Sequence, residues 1–201
     1  MSLEEMKKDF ERQEEIRAEL LAKQPDLGIS SFVISGDILS AEKADKLVQD
    51  GMPTEKALMF VGSYARFDWA VKNLPRPALL KMLPELWMGA DPDDTNSEYL
   101  ELWKEAWKLN GNKTVCDGKK LPRRKKLRVF RGQFKDAEVG FAWTLDVTIA
   151  RKFALTGGLR GTIKNGIVYE DVVSPDNIYG YITGRGESEV ITDPFEYRRW
   201  K

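Results

Sequence analysis

Apolar residues recur every three or four positions through the first half of the chain and alternate or cluster in short runs through the second. Over 3–23, Leu3, Met6, Phe10 and Leu20 fall at helical spacing and Glu4 can pair with Lys8 one turn on, which predicts a solvated helix. Phe32-Val33-Ile34 reads as a short buried piece, and Ser40 as the cap of a helix running to about Asp50 that Gly51 ends. Thr54 caps the next, which carries Leu58, Met59 and Phe60, and the span from Tyr64 to Leu74 repeats the pattern with Phe67, Trp69 and Val71. Pro77 suits the first turn of a helix bearing Leu79, Leu80, Met82 and Leu83, while Pro84 should kink or split it. After a turn at Asp91-Pro92-Asp93-Asp94, Ser97 opens a helix holding Leu100, Trp103 and Trp107 that Gly111 closes.

Beyond about residue 120 the period changes to that of strands, at Leu127–Arg131, Gly140–Leu145, Gly166–Val173, Tyr179–Ile182 and Glu189–Thr192, with one helix from about Val147 to Leu155. The pattern predicts an α+β protein with a helical N-terminal region over 1–118 and a β-rich core over 119–201. The last segment alone is small for an independent core, so the helical half is expected to pack on it.

Composition narrows the chemistry more than the fold. At 201 residues, 42% hydrophobic and 32% charged, the chain can bury a core, and its net charge of zero gives no global reason for a nucleic-acid or membrane partner. No apolar run approaches bilayer length and the N-terminal stretch is charged, so neither a membrane span nor a signal sequence is expected. Cys116 is the single cysteine, which points to a reducing, cytoplasmic setting. The chain has no histidine, so no ordinary zinc site is expected and any reaction near neutral pH must use carboxylates, hydroxyls, the thiol or Lys/Arg electrostatics.

Three short strings carry candidate chemistry. Val129-Phe130-Arg131-Gly132 delivers an arginine at the end of an apolar strand, where a planar guanidinium can grip a phosphate or carboxylate and Gly132 leaves room for a ligand. An exposed strand-end arginine fits the same pattern. Gly140-Phe141-Ala142-Trp143-Thr144-Leu145-Asp146 reads as a strand turning into the helix of Ala150, Phe153 and Ala154, capped by Thr144 or Asp146, and as pure structure it needs no ligand. Glu187-Ser188-Glu189-Val190-Ile191 puts two carboxylates on one face of an extended segment, costly in a cleft and trivial on a solvated edge, with Arg185 near enough to compensate.

In their order these elements resemble the ADP-ribosyltransferase superfamily, in its arginine–serine–glutamate branch, over roughly 126–194. The middle string is similar to the Ser-Trp-Thr variant of the branch's Ser-Thr-Ser strand found in many phage and bacterial members. The resemblance implies a small split β-sandwich and a mono-ADP-ribosyltransferase that consumes NAD, needs no metal and modifies a protein side chain, possibly at arginine. Glu189 would be the catalytic carboxylate, Glu187 would orient or deprotonate the acceptor, and Arg131 would hold the cofactor's phosphates beside Gly132. Thr144 would shape the nicotinamide pocket, with Trp143 and Phe153 in its walls. Ala142 stands where the first serine is expected, the residue that orients the glutamate, so that task would pass to Thr144 or Ser188.

Two further readings stay open. One is a binding module of the same fold that has lost turnover through Ala142. The other is a helical interaction protein whose basic run, Lys119, Lys120, Arg123, Arg124, Lys125, Lys126 and Arg128, contacts nucleic acid, although a solvated linker explains that run as well and no aromatic interleaves it.

Overall fold

Residues 28–90, 92–156, 166–193 and 198–199 are described by a computed structural model of the chain, and the helix expected over 3–23 lies outside them. They form six α-helices and one open mixed sheet of seven strands, in two compact units. One unit ends at Leu79 and includes Gly89–Pro92; the other comprises Leu80–Met88 and what is described from Asp93 onward.

The first unit is helical. Helix α1 (Gly28–Gln49) is followed by α2 (Thr54–Ala57), a 3-10 turn at Leu58–Phe60, and α3 (Ser63–Asn73). Gly51 ends α1 with φ +93°, in the left-handed region that glycine enters without penalty. Ser40 does not start a helix, because α1 already runs through it and through Phe32-Val33-Ile34. Its hydroxyl instead accepts from the Gly62 amide (2.7 Å), tying α1 to the start of α3. Trp69 donates from Nε1 to Asp45 (2.8 Å), and Ala44, Leu58, Val61, Phe67 and Ala70 are buried.

Helix α4 (Arg76–Gly89) passes through Pro84 without being split, contrary to expectation. Proline removes one backbone donor and crowds the preceding turn, at a cost of about 3 kcal/mol. Buried Leu80, Leu83, Leu86 and Trp87 on the same helix offset that cost. In α5 (Ser97–Leu109) the N-cap is Asn96, whose side chain accepts from the Glu98 amide (3.0 Å), and Gly111 follows its end at φ +68°.

The sheet runs in the order β1-β5-β6-β3-β2-β4-β7. Its strands are β1 (Val115–Cys116), β2 (Leu127–Phe134), β3 (Ala142–Thr144), β4 (Gly166–Val173), β5 (Ile178–Ile182), β6 (Glu189–Thr192) and β7 (Arg198–Arg199). Only β1–β5 is parallel. Helix α6 (Val147–Thr156) follows β3. Residues 80–88 and 93–118, grouped by their sequence with the helical half, cluster with this sheet.

Alternation along the strands sorts side chains onto two faces. Leu127, Val129, Trp143, Tyr169, Tyr181 and Val190 form a buried cluster on one. On the other, Ile182, Glu189, Thr144, Phe130 and Glu170 lie in register across β5, β6, β3, β2 and β4. Helix α6 packs on this second face so closely that a Cβ on Gly132 would collide with the Ala150 carbonyl and one on Gly166 with that of Ala154. Gly132 therefore makes room for a helix, not for a ligand. Among the described residues no helix is long and apolar enough to cross a membrane.

Candidate functional site

Strand β6 opens on Glu189, whose side chain is almost out of solvent at 8% residue exposure. A buried carboxylate needs donors. Two reach it: Trp87 Nε1 from α4 at 2.9 Å on Oε1, and Arg185 Nη2 at 3.3 Å on Oε2. Burial pushes the Glu189 carboxyl above its ordinary range, and the Trp87 and Arg185 bonds only partly counter it. Trp87 is itself fixed, packed edge-on against Trp103 (5.8 Å between centroids) and tilted against Phe141 (5.5 Å).

The segment before β6 is a turn. Gly186 and Ser188 both have positive φ (+74° and +47°), so Glu187 lies ahead of the strand and does not share a strand face with Glu189 by alternation. The two carboxylates meet instead through Arg185, whose Nε lies 3.4 Å from Glu187 Oε2 while Nη2 contacts Glu189. Asp117 holds the start of the turn, accepting from the amides of Thr183 and Gly184 (both 2.6 Å) and from the Thr183 hydroxyl (3.0 Å). Burial would raise the Asp117 carboxyl, but these donors win and hold it below its ordinary range.

Thr144 is paired in register with Glu189, yet its hydroxyl serves the backbone: it donates to the Glu187 carbonyl and accepts from the Asp146 amide (3.1 Å). The Asp146 side chain in turn accepts from the Thr148 amide (2.8 Å) at the start of α6. Ala142 backs β3 two residues away, paired with Ile191. The side chain that bonds Glu189 Oε1 is the indole of Trp87, while the Thr144 hydroxyl is taken up by the backbone.

Arg131 is one residue beyond Phe130 on β2 and pairs with Tyr169, so alternation places it on the face of Leu127 and Val129, opposite Glu189, and the two do not share one face of the sheet as the expected cofactor site required. Strands β2 and β3 share a single register pair there, and Arg131 spans the gap by donating to the Ala142 carbonyl (2.5 Å). The rest of its fork is engaged by Asp94 (both carboxylate oxygens, 3.1 Å for Nη2) and by Gln133 (2.6 Å from Nε). Asp94 also accepts from the Ala142 amide (3.2 Å), and its carbonyl from Phe141 (2.9 Å).

Glu189, Glu187, Arg185, Thr144 and Trp87 are thus brought together at the head of β6, while Arg131 belongs to a second polar group with Asp94 and Gln133. Trp143 is buried in the opposite face's cluster, donating to the Gly140 carbonyl (3.2 Å), so it is core rather than pocket wall. Phe153 is half-buried on α6. The basic run from Lys119 to Lys126 is exposed at each cation. Among the described residues no group of His, Cys, Asp and Glu could hold a metal ion. Compared with models of known protein families, with curated proteins and with solved structures, the chain matches none.

Proposed function

We propose that the sheet-bearing unit is an ADP-ribosyltransferase core of the arginine–serine–glutamate branch, a reading consistent with the short pairing of β2 with β3. The observation that carries this is adjacency. The Glu-x-Glu strand lies far along the chain from the arginine strand and the Ser-Trp-Thr-like strand that follows it, yet β2, β3 and β6 are consecutive neighbours in the sheet. At the end of that trio sits a buried, donor-held carboxylate in a chain without histidine.

NAD is the substrate, and a protein side chain in a cytoplasmic setting the acceptor. Cleavage of its nicotinamide–ribose bond builds positive charge on the ribose, which a nearby carboxylate stabilises, as in glycoside hydrolysis. Glu189 fits that task, since Trp87 and Arg185 set its two oxygens and its burial strengthens its field at short range. Glu187, more exposed, faces the acceptor. Purified chain should release nicotinamide from NAD, and Glu189→Ala should lower that rate about a thousandfold. Equal rates in the two proteins would sink the enzymatic reading.

A second reading is supported by Asp94. Its carboxylate fills the fork of Arg131, and Ala142 supplies no hydroxyl, as expected of a binding module that has lost turnover. It forecasts no nicotinamide release from the native protein and a gain of release in Ala142→Ser.

A further inference from the structure

We infer that the basic strip from Lys119 to Lys126 is a docking surface for the phosphate backbone of a nucleic-acid duplex, whether or not the chain consumes NAD. Lys119, Lys120, Arg123, Arg124, Lys125 and Lys126 are all exposed, and no acidic residue falls among them. Among the described residues none of the six pairs with a carboxylate. Asp117, just before the strip, is committed to Thr183 and Gly184, and Glu170 to Arg128, just after it. The cations therefore repel one another with nothing of the protein's own to offset them, and a polyanion relieves that repulsion.

The strip is also held in place at both ends. At its start Cys116 of β1 is in register with Tyr181, and the Asp117 carboxylate accepts from the Thr183 and Gly184 amides (both 2.6 Å). Leu121 packs on the buried cluster of Leu127, Val129, Trp143 and Tyr181, and Leu127 itself opens β2. Pro122 fixes its own φ and keeps Leu121 out of helical geometry. With both leucines spent on the core, the segment presents cations to solvent along an anchored path, which lowers the ordering cost of binding. Eight residues reach at most about 28 Å. Duplex DNA carries one phosphate per roughly 1.7 Å of its axis, so each of the cations can meet one.

The composition of the strip selects the partner. Protein interfaces centre on apolar and aromatic side chains and are depleted of lysine, and the strip offers no such centre. Single strands are gripped by stacking bases on aromatic rings, and no aromatic residue falls between Asp117 and Lys126. Lysines and arginines without a base-reading element contact phosphates, which position a duplex without reading its sequence.

The test measures fluorescence anisotropy of labelled DNA and RNA duplexes of about 20 base pairs with the full chain across a salt series. The expected result is binding to a duplex that weakens roughly a thousandfold between about 50 and 200 mM salt. Combining Arg123→Gln, Arg124→Gln, Lys125→Gln and Lys126→Gln, checked for a native melting curve, should cut the log–log salt slope by about 3 to 4 and low-salt affinity by at least roughly a hundredfold. Combining Lys56→Gln, Lys72→Gln, Lys81→Gln and Lys108→Gln removes the same charge at other exposed positions and should leave the slope unchanged. Absence of duplex binding at low salt, or an equal loss in this control, would overturn the inference. So would displacement by polyglutamate as strong as by unlabelled duplex at equal charge, the mark of an acidic protein partner.

Discussion

At the scale of single residues, the site turns on how a buried carboxylate is kept useful. Trp87 contributes a neutral donor to one oxygen of Glu189, beside the Arg185 guanidinium on the other. Replacing Trp87 by Phe leaves most of the packing against Trp103 and Phe141 but strips that donor, leaving one buried oxygen short of a partner at a cost of about 1–3 kcal/mol. Losing a bond to the charged form moves the Glu189 carboxyl further up. The acid limb of the pH–rate profile for nicotinamide release should therefore shift to higher pH, with kcat down roughly ten- to a hundredfold and KM for NAD little changed. Trp103→Phe serves as the packing control, since its indole N–H is buried without an acceptor among the described residues and has no bond to lose. If both variants shift the pH profile equally, Trp87 acts by packing alone.

At the scale of elements, the decisive contact is the junction of β2 and β3. They share one register pair, and beyond it Arg131 and Asp94 replace backbone ladder bonds with side-chain ones: Arg131 feeds the Ala142 carbonyl and Asp94 takes the Ala142 amide. Asp94→Asn should therefore destabilise the fold by ~2 kcal/mol, between the values for exposed and buried ion pairs, seen as a lower melting temperature. The same change frees the Arg131 fork. If NAD phosphates bind there, Asp94→Asn should tighten NAD binding in calorimetry by roughly tenfold despite the lost stability. An unchanged or weaker affinity would remove Arg131 from the cofactor site. This junction also marks where sequence stops being informative. Strands β4 and β6 were legible to the residue, because β-branched and apolar runs are bounded by Gly166 and Ser174 in one case and by Ser188 and Asp193 in the other. Strand β3 is shorter than its apolar run implies, since pairing depends on neighbours that diverge. Glu189 could be picked out by the order of motifs. Trp87 and Asp94 could not: their partners lie 102 and 37 residues away, and Asp94 reads locally as nothing more than a turn residue. Helix starts at Thr54, Ser97 and Val147 were legible, but the one at Ser40 was not, because the hydroxyl that looked like a cap is spent on the Gly62 amide across a tertiary contact.

At the scale of the whole molecule, equal numbers of acidic and basic residues leave no net field at neutral pH, so the dependence of stability on pH falls to the few carboxylates whose surroundings differ. They pull in opposite directions. Burial raises Glu189, so between its unfolded and folded values the native state binds the extra proton, and stability falls as pH rises through that interval. Asp117 and Asp193 also feel burial, but donors outweigh it, the Thr183 and Gly184 amides on one and Lys104 (2.8 Å) with Tyr179 (2.5 Å) on the other, and both are lowered. Their stabilisation is complete above the unfolded aspartate value of about 4 and is lost as pH drops through the folded values. Melting temperature should therefore peak between the unfolded aspartate value of about 4 and the raised value of Glu189. Glu189→Gln should flatten the alkaline side of that peak and raise the melting temperature at pH values above it, because Gln keeps an acceptor for Trp87 while Arg185 retains Glu187. Asp117→Asn should flatten the acid side and lower the maximum. A variant that is inactive yet more stable than its parent is what a carboxylate kept for chemistry predicts, since its burial costs the fold. Thermal melts of the three proteins across pH would decide it: a Glu189→Gln protein less stable than wild type on the alkaline side of the peak would make Glu189 a structural carboxylate, held by Trp87 and Arg185 for the fold alone.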